Sequence, residues 1–384
     1  MKSYPEQRRV HGKGAVIELL CLAHLPVENQ SARQRVVQYF PYFRSRGINP
    51  TFWPSVPSEL HAIKNTYGPV NTARKAALLT RALLRRLLVE LPRFDRFDTL
   101  LVHREVFPFF TPIFEQIARK MNPRFILDFD DAIYVEPTHY RDWRSVLRRP
   151  ANFSRVVAGA AHVVAGNAVL ADYARQYNER VTIIPTALDP DLYPAKRQFD
   201  SEPVVVGWTG AWATAPSLRI LDRVFQRLAK TERFRLKIIG NENIHELRFP
   251  GVDVYRRLWN LRTMTEDLSE FDIGVMPLQE SPWELGKCGG KLLQYMALGI
   301  PAVASPVGAN KSLVSDGEDG FLATDEQQWE EKLRALIRDA ALRKRMGQKA
   351  RQTMESRYSI KVTGPRLADI VEEVVGGMPP GKRT

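Results

Sequence analysis

Pro282–Leu313 reads PWELGKCGGKLLQYMALGIPAVASPVGANKSL. Gly286, Gly289 and Gly290 open it, and a loop of this kind lets backbone approach a ligand closely. Lys291 follows, and Leu292, Leu293, Met296 and Ala297 then recur on one helical face. Gly299 ends that helix at the position past its C-cap, and Pro301 stands where the helix could not continue. Ala302, Val303 and Ala304 make a short buried strand, and Pro306, Gly308 and Asn310 form the next turn. A helix N-terminus behind a glycine loop, with a lysine in its first turn, suits a phosphate. The plainer alternative is an ordinary loop and helix of a parallel sheet.

The stretch resembles the donor-binding segment of the retaining glycosyltransferases of GT-B fold, in particular family 4. The likeness rests on Gln294-Tyr295-Met296-Ala297-Leu298-Gly299-Ile300-Pro301-Ala302-Val303-Ala304, and on Asp316-Gly317-Glu318-Asp319-Gly320-Phe321-Leu322 as the family's Asp-Gly-x-x-Gly-x-Leu turn. It implies an α/β GT-B fold: two Rossmann-like doubly wound domains facing across a cleft, with a C-terminal helix crossing back. The expected organisation is 1–195 on the acceptor side, 196–358 for the nucleotide-sugar, and 359–384 as crossing helix and frayed tail. Pro185-Thr186-Ala187-Leu188-Asp189 resembles the turn that closes the first domain in this family.

The totals agree with two domains. The chain has 384 residues, more than one ordinary core holds. It is 44% hydrophobic and 26% charged, a soluble globular composition. No apolar run approaches the ~20 residues that span a bilayer. The polar start MKSYPEQRRVHGKG does not read as a signal peptide. Two cysteines, Cys21 and Cys288, argue against a disulfide framework and for a reducing, cytoplasmic setting. The net charge of +13 favours anionic partners. No zinc spacing or aromatic-studded sheet signature accompanies it, so nucleic acid is not expected. A phosphorylated donor and an anionic membrane surface account for it better, which makes attachment to the inner face of the cell membrane a further expectation.

Ala15–Ala23 (AVIELLCLA) reads as a first buried strand. A helix over 32–46 follows, with Ser31 as N-cap and Gly47 as its stop. Ligands of such sheets bind at the carboxyl ends of strands, and the resemblance puts this loop at the cleft. Arg33 and Arg35 then meet acceptor or donor phosphate, or else form a solvated face. Thr72–Glu90 is a basic amphipathic helix with Leu79, Leu83 and Leu87 at spacing four and Arg74, Arg81 and Arg85 on another side. It is either the outer layer of an α/β domain or a membrane-surface helix.

Phe125–Asp128 is a strand that runs into Asp128-Phe129-Asp130-Asp131. Asp-x-Asp is the metal signature of the other glycosyltransferase fold, GT-A, and carboxylates do suit Mg²⁺ or Mn²⁺. The GT-B resemblance implies instead that no metal and no other cofactor is needed, and that Asp130 and Asp131 border the active site. There Asp130 or Phe129 stands where relatives carry a histidine. Capping of a following helix is the structural alternative.

The chemistry implied is breakage of the anomeric bond to a diphosphate through an oxocarbenium-like transition state, helped by donors and cations placed at the leaving group. The catalytic candidates are Asp130, Asp131, Glu284 and Lys291. The donor-binding candidates are Gly210, Lys287, Gly289, Gly290, Gln294, Gly308 and Asn310. Relatives carry an arginine and a lysine after the first strand of the second domain, whereas Gly207–Thr214 has no basic residue. Relatives also carry two glutamates eight positions apart. The second aligns with Gln294 and the first near Gly286, with Glu284 two places off. The expected activity is transfer of a hexosyl unit, with retention, from a UDP- or GDP-sugar to a glycan or lipid-linked acceptor in cell-envelope biosynthesis. A catalytically silent sugar-nucleotide or glycan binder and a sugar-nucleotide epimerase are the alternatives.

Overall fold

The computed structural model describes residues 16–64, 66, 68–109, 111–136, 150–210 and 212–377. The polar N-terminal stretch and the tail from 378 lie outside these residues.

Among the described residues, twelve strands form two six-stranded parallel sheets. The first holds β1 (Ile17–Ala23), β2 (Ile48–Pro54), β3 (Thr99–His103), β4 (Phe125–Phe129), β5 (His162–Ala165) and β6 (Val181–Ile183), ordered β2-β1-β3-β4-β5-β6. The second holds β7 (Val204–Gly210), β8 (Phe234–Gly240), β9 (Val254–Leu258), β10 (Ile273–Met276), β11 (Ala302–Ala304) and β12 (Phe321–Leu322), ordered β12-β11-β10-β7-β8-β9. The runs TLLVH, FILDF and HVVA are buried along their whole length. That is what a parallel sheet covered by helices on both faces demands.

Alternation along the strands feeds two cores in each half. Leu20, Leu22, Leu100 and Val102 pack on one side of the first sheet with Phe94 and Phe153. Leu19, Cys21, Leu101 and Ile126 pack on the other with Phe43. In the second sheet Val206, Trp208, Leu236 and Val275 share one core, and Ile239, Met276, Leu292 and Met296 the other.

Four helices matter below: α1 (Gln30–Arg35), α2 (Pro69–Arg85), α3 (Gly290–Ala297) and α4 (Ile360–Gly377). Although α4 follows the second sheet in the chain, it packs on the first. Leu367, Ile370, Val371 and Val374 join Leu19, Cys21 and Phe43. At roughly 1.5–3 kcal/mol for each large apolar side chain buried, these contacts fix the helix there. Tyr39 and Thr363 hydroxyls meet at 2.9 Å, and Arg46 reaches Asp369 and Glu372 at 3.1 and 2.8 Å. The crossing-back helix is therefore present.

The helix expected over 32–46 is broken. It runs as α1, a 3₁₀ turn (Val37–Tyr39) and a second short helix (Phe40–Ser45). Pro41 has no N–H for the carbonyl of residue 37, and its ring crowds that carbonyl. The N-cap is Asn29, which accepts from the Ser31 and Ala32 amides, in place of Ser31. The helix expected over 72–90 begins earlier, at Pro69, and its last turn is π-helical over Arg86–Glu90.

Candidate functional site

The ends of β4 and β5 meet the glycine loop of the second half. Lys287 Nζ lies 3.1 Å from Asp131 Oδ1, and Asn167 Nδ2 donates to the Lys287 carbonyl at 3.1 Å. Gly286 lies against Ala132 so closely that a Cβ there would sit 2.7 Å from the Ala132 nitrogen. Cys288 Sγ fills the space beside Gly166, which makes it a packing residue.

A layered charge cluster supports this contact. The register of β3 with β4 pairs His103 with Asp128. His103 Nδ1 is 2.7 Å from Asp128 Oδ2, and its Nε2 is 3.6 Å from Asp130 Oδ1. Arg35 of α1 closes on Asp128 and donates to the Ile184 carbonyl at 2.7 Å. Arg104 then forks over the acidic turn. It reaches Asp130 through Nε at 2.7 Å, and Asp131 and the Ser31 hydroxyl through Nη2 at 2.5 and 2.9 Å. Its φ of +67° is the only positive value at a non-glycine position among the described residues. A conformation that costs an L-residue energy is retained where the surroundings over-determine it, and here three side-chain partners do so.

Burial works to raise the Asp130 carboxyl, but Arg104, His103 and Arg35 together hold it below the ordinary carboxylate range. For Asp128, burial opposes Arg35 and His103 in the same way, and the result is again a lowered value. Burial likewise works to lower Lys287, while Asp131 and Glu284 hold it above the usual lysine value. These charges persist away from bulk water because each is paired.

Lys291 differs. It stands in the first turn of α3, behind Gly289, whose φ of +68° is left-handed and suits glycine. Its ammonium lies 5.3 Å from the Trp208 ring centre. Among the described residues, no carboxylate lies within ion-pair distance of it. The residue keeps some exposure, yet protein surrounds most of its side chain. Burial, helped by Lys287, lowers its pKa from the usual 10.5 to about 8. Glu284 and Asp131 act on it more weakly and in the opposite direction. The glycine loop thus presents a half-buried cation without an anion.

The candidates read from sequence fall into two groups. Asp131, Glu284, Lys287 and Lys291 act on one another electrostatically beside Gly289 and Gly290, and Asp130 joins them through the Arg104 it shares with Asp131. Gly210 ends β7 beside Trp208, the ring that Lys291 faces. Gly308 backs onto the Leu285 carbonyl, so the two glycine turns touch. The others are less available. Asn310 is buried, and its amide is spent on the Ser305 carbonyl at 2.9 Å. Gln294 is buried with its amide against Met264 sulfur at 3.3 Å, beside the Tyr193 hydroxyl. Arg33 donates to the Val27 carbonyl at 3.0 Å and leaves a buried Nη2 without a partner.

One expectation is corrected. Arg35 is not at a phosphate-facing surface: it is 2% exposed and committed to Asp128. A histidine does stand beside the acidic turn, His103 of the neighbouring strand, buried against Asp128. His103, Arg104 and Asp128 escaped the sequence reading as site residues. Their signal was position at the carboxyl ends of β3 and β4. The Asp-x-Asp carboxylates are each engaged by protein cations, and no cluster of three or more metal-binding side chains occurs among the described residues.

Comparison with known proteins places this geometry in context. Residues 203–339 match the protein family described as Glycosyl transferases group 1. A D-inositol 3-phosphate glycosyltransferase of Stackebrandtia nassauensis is 25% identical over 235 residues, which cover 51% of this chain and 52% of that protein. The match thus spans about half of the curated relative. Sucrose-phosphate synthase from Thermosynechococcus elongatus superposes with a TM-score of 0.68 at 12% identity, over 94% of this chain and all of that one. Anabaena HepE in complex with UDP and glucose superposes at 0.63 and 14% identity, over 93% of this chain and all of that one. The chain has the GT-B fold, and the Glycosyl transferases group 1 match falls on the half that carries Lys291 and its glycine loop.

Proposed function

We propose that this chain is a retaining glycosyltransferase of the family 4 type that moves a hexosyl unit from a nucleotide-sugar to a glycan or lipid-linked acceptor of the cell envelope. The observation that carries the reading is Lys291: a cation without an anion, at a helix N-terminus, behind a left-handed glycine. A donor diphosphate supplies the missing charge. As the anomeric bond breaks, negative charge grows on the leaving phosphate, and a cation already fixed there stabilises it most. Lys287, drawn to Asp131, lies beside the same loop. Asp131 and Glu284 offer negative charge to the oxocarbenium-like sugar. The ribose role that the resemblance gives to a glutamate falls on Gln294, whose buried amide would exchange the Met264 sulfur for a ribose hydroxyl. UDP is the favoured nucleotide, since the solved neighbour HepE holds UDP and glucose. No metal is assigned to this chemistry, because Lys291 and Lys287 supply the positive charge.

A silent sugar-nucleotide binder is the second reading. Gly286 favours it: where relatives carry their first glutamate, contact with Ala132 leaves no room for a side chain. A panel of nucleotide-sugars separates the two. The transferase reading expects stabilisation by one donor in thermal shift. It also expects transfer to cell-envelope extract, with the anomeric configuration kept when the product is followed by proton NMR. Binding without turnover supports the silent reading, and an inverted anomer refutes retention.

A further inference from the structure

Independently of that cleft, helix α2 has two apolar sides. Leu79 and Leu83 face inward and pack on the first core beside Trp53. Leu84 and Leu88 point outward, 49% and 71% exposed, and Val89 continues the strip. Ala77, Arg81, Leu84 and Leu88 follow spacings of four, three and four, one stripe on a helix. With Arg85 they line a shallow open depression of ≈ 630 Å³. A solvated outer layer would carry charges of both signs here. From Pro69 to Leu88 the charged residues are Arg74, Lys75, Arg81, Arg85 and Arg86, with no acid. Arg74 and Arg81 have no ion pair among the described residues, and Arg85 shares Glu90 with the buried Arg86.

We propose that the outer face of α2 and of the π-helical turn that continues it, from Arg74 to Val89, docks this protein on an anionic phospholipid surface. Charge complementarity selects the occupant: exposed leucines flanked by unpaired arginines fit the boundary between acyl chains and phosphate head groups. The leucines enter ~5–10 Å while the arginines reach the phosphates. Among the described residues, no helix is long and apolar enough to cross a membrane, so the helix would lie in the surface.

The test is sedimentation of the full chain with vesicles of phosphatidylcholine alone or with one-third phosphatidylglycerol. Binding is expected to the anionic vesicles and to weaken with added salt. Arg74→Gln with Arg81→Gln should lower the partition coefficient about 30-fold. Leu84→Ser with Leu88→Ser should lower it ~10-fold or more. All four side chains lie on the exposed side of the helix, so thermal midpoints and stabilisation by soluble nucleotide-sugar should match wild type. Equal binding to neutral vesicles, or undiminished binding by either double variant, overturns the proposal. So does failure to bind any vesicle, and concentration-dependent dimerisation lost in the leucine variant would then assign the face to a second copy.

Discussion

Replacing Lys291 by methionine keeps an unbranched side chain one atom shorter and removes its charge. The lowered pKa, about 8 in place of 10.5, means that the empty protein pays for holding this ammonium, by at most about 3 kcal/mol. Solvent reaching the side chain reduces that figure. A bound diphosphate reverses the balance, because a charge-assisted contact contributes about 1.5–3 kcal/mol. Lys291→Met should therefore bind nucleoside diphosphate roughly 10- to 150-fold more weakly, while its unfolding midpoint stays level or rises. Calorimetric titration and urea unfolding of the same two proteins read both quantities. The sign with pH follows. Between about pH 8 and 10.5 the unfolded chain holds a proton on Lys291 that the folded one has released. Wild-type stability should gain from this group as pH rises through that window, and the variant should lack the gain. Donor affinity should be level below about pH 8 and fall by up to about tenfold per pH unit above it. A variant that unfolds more easily and binds as well as wild type would make Lys291 a structural residue and refute the argument.

The acidic turn yields further expectations. Arg104→Met leaves Asp130 and Asp131 without their shared cation and should cost about 3–5 kcal/mol in urea unfolding; a loss within error would show that the pair is not held by Arg104. Because the Asp130 carboxyl is held below its ordinary range, its contribution is present above the unfolded carboxylate pKa and lost as pH falls through the folded value. The acid-unfolding midpoint of Arg104→Met should accordingly move to higher pH, and an unchanged midpoint would count against this coupling. Gly286→Ala should cost about 1–3 kcal/mol by forcing the loop off Ala132, measured by thermal or urea unfolding; a neutral result would mean that the two halves separate freely there. Lys287→Ala removes a link between Asp131 and the glycine loop, and proteolysis within 286–290 should quicken; unchanged cleavage would assign no latching role to that pair.

The fold was legible where local signals agreed. The glycine loop, the helix stop at Gly299-Ile300-Pro301 and the strand AVA made the order of elements in Pro282–Leu313 readable, and the runs AVIELLCLA and FILD marked buried strands. Lys291 was legible as a candidate because of its position alone, in the first turn behind two glycines. The charge cluster was not. His103 and Asp128 are 25 positions apart, and only the register of β3 on β4 pairs them. Arg104 holds Asp130 and Asp131 through a left-handed backbone that no residue type announces. Arg35 and Arg33 look alike in sequence, yet one faces into the sheet toward Asp128 and the other lies against the Val27 carbonyl. The break at Pro41 could have been read, since proline two positions into a helix is tolerated only if a new helix starts there.

The most direct test of the central claim is release of nucleoside diphosphate from a panel of nucleotide-sugars, with wild type and Lys291→Met side by side in EDTA. The account predicts slow release from one donor, faster with cell-envelope extract, unaffected by EDTA and lost in the variant. No release from any donor, or equal release by both proteins, would contradict it.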